Sequence, residues 1–190
     1  MIRRSSKRSG GCPKDSGARS SVQEAIGQLR SLPIGASQNI MMADKHGDMA
    51  VVECCSERMA VRTPKEGERF VITSNHFTEP SMLVYDGRPE GNWFFSETRY
   101  ETALRVLRMS GHGCDAIELA KRILSGKLGF ACQYKKEMNF DSLWSFIVRL
   151  NDLTLFRAEG NPSRVKYAED TRLAWAMQKK KGAFKGYFTR

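Results

Sequence analysis

Three short apolar runs separated by tight polar turns constrain this chain more than any other feature. "SQNIMMA" stops at "DKHGD", "MAVVEC" stops at "SER", and "MAVR" stops at "TPKEGE". Each run has the length of a strand. Each break is rich in Gly, Asp, Ser or Pro, the residues that turns select. Strands joined this closely pair with their neighbours, so the spacing predicts an antiparallel meander. A fourth run, "RFVITSN", reads as the next strand, with Phe70 to Ser74 as its buried part.

Helical periodicity brackets these runs. In "SVQEAIGQLRSLP", Ser21 and Glu24 form a capping box, Val22, Ala25, Ile26 and Leu29 make one stripe, and Pro33 ends the helix. "SETRYETALRVLRM" places Tyr100, Ala103, Leu104 and Leu107 at helical spacing and stops at Gly111. "DAIELAKRILSG" starts with Asp115 and Glu118 as a second capping box and stops at Gly126. "SLWSFIVRL" and "LTLFRAEG" then flank Asn151-Asp152, which reads as a two-residue hairpin turn. "AEDTRLAWAMQKKK" reads as a short last helix or turn. Strands, then helices, then strands define an α+β chain with helices layered on an antiparallel sheet.

Charge separates the ends from the middle. The chain has 190 residues and a net charge of +10. Residues 1–20 contribute +5, residues 178–190 contribute another +5, and the remainder balances. This predicts basic, solvated, disordered tails at 1–20 and 177–190 around a neutral domain at 21–176. Nucleic-acid domains carry their basic face on the fold, so the neutral centre argues against that role. No apolar run approaches the roughly 20 residues a membrane helix needs. The basic start has no apolar stretch and is not a secretory signal. The cysteines, Cys12, Cys54, Cys55, Cys114 and Cys132, are odd in number and include no C-x-x-C. That pattern predicts a reduced, cytoplasmic protein with no metal site and no cofactor.

Few residues suggest chemistry. His112 in "SGHGCD" lies between two helices beside glycines, and His46 lies in a hairpin turn, so both read as loop histidines. Asn75 has low strand propensity yet ends an apolar run. Its side-chain N–H groups suit the preorganised donors that acyl-transfer enzymes aim at an oxyanion. The alternative is that Asn75 and His76 form the turn leading to Pro80, and composition alone favours it. Arg99 would sit in the first turn of a helix capped by Ser96 or Thr98, where the helix dipole opposes a cation. Either an anionic or charge-requiring neighbour justifies it, or it is an exposed arginine whose cost solvent screens.

Taken together, "ASQNIMMADKHGDMAVVEC", "TSNHF", "SETRY" and "FRAEGNPSRVKY" resemble the C-terminal half of acyl-coenzyme A:6-aminopenicillanic acid acyltransferase-like proteins. These are N-terminal-nucleophile (Ntn) hydrolases, related to choloylglycine hydrolases and penicillin V acylases. The resemblance runs roughly from Val22 to Trp175. It implies part of a four-layer αββα sandwich that cleaves or transfers acyl groups on amides. It implies a cysteine nucleophile exposed by self-cleavage, whose own amine is the base. It places Asn75 in the active site and, through the "S-x-x-R" segment, Arg99 near the nucleophile. His76 then packs or caps.

The family's nucleophilic cysteine belongs to an N-terminal half for which this sequence shows no counterpart. Cys12 follows two glycines, but about ten residues separate it from the helix at Val22, where the family carries several strands and two helices. The resemblance therefore implies a fragment or subunit of an amide hydrolase or acyltransferase. Asn75 and Arg99 would act on a small amide or acyl substrate, with the cysteine supplied by a missing half or second chain. The alternatives are a non-enzymatic module whose basic tails bind anionic partners, and a gene remnant.

Overall fold

A strand buried on both faces organises the N-terminal part of the molecule. In the computed structural model, the described residues are 21–87, 93–111, 113–132, 134, 139, 141–172 and 174–176. Cys12, His112 and both basic tails lie outside them. Strands β1 (Gln38–Ala43), β2 (Met49–Cys54) and β3 (Met59–Arg62) form the expected antiparallel meander in that order. Its register pairs Ile40 with Val52 and Val52 with Val61. Asp44 shapes the first turn: its carboxylate accepts from the His46 and Asp48 N–H groups, and Gly47 takes φ 95°, a conformation glycine adopts freely. His46 is exposed in that turn.

Side-chain alternation decides what covers each face of β2. Ala50, Val52 and Cys54 point to one side, where Val22 and Ile26 of helix α1 (Val22–Leu29) pack on them. The Ser21–Glu24 capping box is formed, and Leu29 joins the contact. Burying a side chain such as Val22 or Ile26 contributes about 1.5–3 kcal/mol, which holds so short a helix in place. Beyond the other face, Cys55 forms a second cluster with Phe77 and Met82. Met82 lies in a 3-10 turn, Pro80–Tyr85.

The fourth strand does not form. Residues 70–74 join no ladder among the described residues. Side chains of the meander capture their carbonyls instead: Arg62 donates to Ile72 O at 3.0 Å and Asn39 to Ser74 O at 2.9 Å. With those acceptors taken, the stretch becomes a loop laid against the sheet.

Helix α2 (Ser96–Met109) also starts differently from the expectation that Ser96 or Thr98 caps it. Phe95 occupies the cap position, and Phe94 and Phe95 are both left-handed, at φ 50° and 53°. Such a conformation costs an L-residue roughly 1–2 kcal/mol. Helix α3 (Ala116–Leu124) is capped by Asp115, which accepts from the Ile117 and Glu118 N–H groups.

A second antiparallel sheet, β4 (Ser145–Arg149), β5 (Thr154–Ala158) and β6 (Ala168–Asp170), follows. Lys121 of α3 lies 4.8 Å above the Phe156 ring. Two expectations change here. The β4–β5 pairing closes on Arg149 and Thr154, so the turn has four residues, 150–153, with Leu153 at φ 60°. Asp152 stabilises the longer turn by accepting from Arg149 and from the Thr154 N–H. Residues 168–170, read as helix or turn, are a strand, because their backbone completes the edge of β5. The described residues are thus α+β, with two small antiparallel sheets and few helices. Among the described residues, no helix is long and apolar enough to cross a membrane.

Candidate active site around Asn75

The loop Ser74–Glu79 is held from three directions. From β1, the Asn39 side-chain amide donates to Ser74 O and His76 O, both at 2.9 Å. From β2, the fully buried Glu53 carboxylate accepts from the Thr78 N–H, the Thr78 hydroxyl and the Glu79 N–H. Arg62 on β3 completes its shell at 2.7 Å. Burial pushes the Glu53 carboxyl up, but the Glu79, Thr78 and Arg62 donors outweigh burial and hold it below the usual glutamate range. From α2, the buried Ser96 hydroxyl meets Ser74 Oγ at 2.6 Å, the Asn75 N–H at 2.8 Å and His76 Nδ1 at 2.8 Å.

These contacts assign protons. Ser74 Oγ donates to Ser96 O at 2.7 Å, which uses its only hydrogen. The Ser96 hydroxyl then donates to Ser74 Oγ and accepts from both the Asn75 N–H and His76 Nδ1–H. His76 is buried, with its ring edge-on to Tyr100 at 5.4 Å between centroids. It packs, as expected, and locks the loop to the helix. Ser96 is unavailable as a helix cap because its hydroxyl is committed here.

Asn75 and Arg99 come together at this point. Arg99 Nη2 donates to Asn75 Oδ1 at 2.6 Å, and Arg99 Nε donates to Phe94 O at 3.2 Å. The left-handed pair before α2 turns the Phe94 carbonyl into reach of the guanidinium. Burial pulls the Arg99 guanidinium down from its ordinary value, yet an arginine stays charged. Among the described residues it has no carboxylate partner. Because Oδ1 is the acceptor, the Asn75 Nδ2 hydrogens remain available on an exposed residue. A charged donor on the carbonyl end of an amide strengthens the donors at its other end.

Reading the sequence singled out Asn75 and Arg99 but missed Asn39, Glu53 and the hub role of Ser96. A signal was present for Glu53: a carboxylate inside the apolar run "MAVVEC" must find several partners to be buried. Ser96 gave none, because its partners lie 20 to 22 residues away.

The four described cysteines are free thiols. Burial pushes the Cys54 and Cys132 thiols up, away from the thiolate a nucleophile needs. Cys55 is buried against Phe77 and Met82, and Cys114 is exposed. Cys132 belongs to a separate polar cluster. There Asn161 donates to Cys132 O at 2.6 Å and contacts Asp141, which pairs with Arg164. Among the described residues, no group of three or more His, Cys, Asp or Glu side chains is placed to hold a metal ion.

The chain belongs to the acyl-coenzyme A:6-aminopenicillanic acid acyl-transferase family, whose pattern residues 18–164 match. Comparison with curated proteins finds no match. Membership points to acyltransferase or Ntn-hydrolase-like chemistry and to small acyl substrates.

Proposed function

We propose that this chain supplies the oxyanion side of an amide-cleaving or acyl-transferring centre. Asn75 Nδ2 donates to the oxygen of the tetrahedral intermediate, and Arg99 fixes and polarises that amide. The observation that carries the reading is the 2.6 Å bond from Arg99 to Asn75 Oδ1, which commits one end of the amide and frees the other. Donors held before the reaction begins stabilise a developing oxyanion without reorganising.

The nucleophilic cysteine lies outside the described residues, in a second chain or a further segment that would complete an Ntn-type sandwich. Two observations support this. The described thiols Cys54 and Cys132 are raised by burial. Leu143, Trp144 and Phe146 are exposed together at β4, with Trp144 and Phe146 stacked at 5.4 Å, as on a surface built to be covered.

The test is hydrolysis of penicillin V and of N-acyl amino acids by the purified chain. No turnover is expected from the chain alone. Turnover that survives Cys12→Ala and depends on Cys54, Cys55, Cys114 or Cys132 overturns the assignment of the nucleophile to a partner. Turnover lost in Cys12→Ala makes Cys12 the nucleophile. Turnover unaffected by Asn75→Ala sinks the oxyanion role.

A further inference from the structure

We propose that Asn39 is the positioning residue for Asn75. One side-chain amide on β1 closes on the two carbonyls that flank Asn75 in sequence, Ser74 O and His76 O, each at 2.9 Å. Drawing carbonyls two residues apart onto one nitrogen fixes the peptide plane that precedes Asn75 and the one that follows His76, so the Asn75–His76 pair is held at both ends. The direction in which the Asn75 side chain leaves the backbone is restricted accordingly. The Ser96 hydroxyl holds the plane before Asn75 from its other edge, by accepting from the Asn75 N–H at 2.8 Å. Asn75 is therefore oriented by its backbone from β1 and α2 before Arg99 touches its side chain.

The chemistry of Asn39 fits this task better than a packing role. Its Oδ1 is buried and has no hydrogen-bond partner among the described residues. A position selected only for packing is not served by a buried acceptor with nothing to accept. The residue bears that acceptor because only the other end of the amide supplies two hydrogens from a single nitrogen. Aspartate, of the same shape, would turn lone pairs toward two carbonyl oxygens.

This inference rests on reading Asn75 as the oxyanion donor, and its test does not use turnover. In the full-length chain labelled with nitrogen-15, the Asn75 side-chain amide pair is assigned by its loss in Asn75→Ser. In Asn39→Asp at neutral pH, that pair and the Arg99 Nε resonance are expected to move from their wild-type positions or disappear. Lowering the pH restores them in part, because the protonated carboxyl offers one donor. Asn161→Ala, which opens the separate Asp141 cluster, serves as the control for general destabilisation and leaves both signals in place. If Asn39→Asp lowers the melting temperature and leaves both signals unmoved, Asn39 is merely structural and the proposal falls. Should that variant not fold, Asn39→Ser keeps one donor without a charge, and the same two signals decide. If the signals move but turnover of the complete enzyme ignores Asn75, the oxyanion reading fails alone.

Discussion

Arg99 and Asn75 lie 24 residues apart and meet through one hydrogen bond of 2.6 Å, from a guanidinium to a side-chain carbonyl. The bond does two things. It satisfies a cation that the start of helix α2 disfavours, and it commits the Oδ1 end of the Asn75 amide while leaving the Nδ2 end available. Asn75→Ala should therefore separate activity from stability. In an assay of the proposed acyl-transfer activity, kcat should fall by on the order of 100- to 1,000-fold, as when one oxyanion donor is removed. The melting curve of the chain alone should shift by no more than about 1 kcal/mol, the net worth of the one hydrogen bond that Arg99 loses. Thermal unfolding beside steady-state kinetics checks both halves.

Arg99→Lys is not a conservative change here. The guanidinium spans Phe94 O and Asn75 Oδ1 with two nitrogens, and a single ammonium cannot hold both in the same geometry. The variant should lose about 1 kcal/mol of stability, the net worth of one such bond. A shift in the urea midpoint with an unchanged slope is the expected result. An unchanged midpoint would mean that the left-handed Phe94–Phe95 pair holds without the arginine.

Glu53 makes the acid limb of stability predictable. Its folded carboxyl lies below the usual glutamate value, despite burial, because of its Glu79, Thr78 and Arg62 donors. A depressed folded value contributes stability above the unfolded value of about 4.3. That stability is lost as the pH falls through the folded value. Glu53→Gln should lower stability at neutral pH by about 3 kcal/mol, as when one partner of a buried pair is removed. It should also flatten the decline on the acid side. Denaturant unfolding from neutral pH down to about pH 3 measures both effects.

Thiol reactivity tests whether a described cysteine is a nucleophile. In a Cys12→Ser background at neutral pH, iodoacetamide should modify the exposed Cys114 first. Cys54 and Cys132, raised by burial, should react only after unfolding. Peptide mass mapping over time gives the order. Rapid modification of Cys54 or Cys132 in the folded chain would contradict the environment described for them.

Local rules made most of the meander legible. The apolar runs, the turn residues and the Ser21–Glu24 box appear in sequence order, and each acts on neighbours a few residues away. The misses share a cause. Phe70 to Ser74 has the composition of a strand, but Arg62 and Asn39 take its carbonyls, and side-chain competition of that kind leaves no periodic trace. Ser96 has the identity of a helix cap, but its hydroxyl serves a loop more than 20 residues earlier. Asn75 and Arg99 were each visible as anomalies, a polar residue ending an apolar run and a cation at a helix start. That each is explained by the other emerges only in three dimensions.

The Ser96 hydroxyl has one hydrogen and two lone pairs, and Ser74, Asn75 and His76 use all three. Its valence is full. Replacing Ser74 or His76 alone strands a hydrogen or a lone pair in a place water does not reach, and replacing Ser96 strands several at once. The loop and the start of the helix are therefore locked into joint inheritance. A substitution that removes one member leaves its counterpart unpaired, so a descendant that loses one of these groups keeps this corner only by altering the other as well.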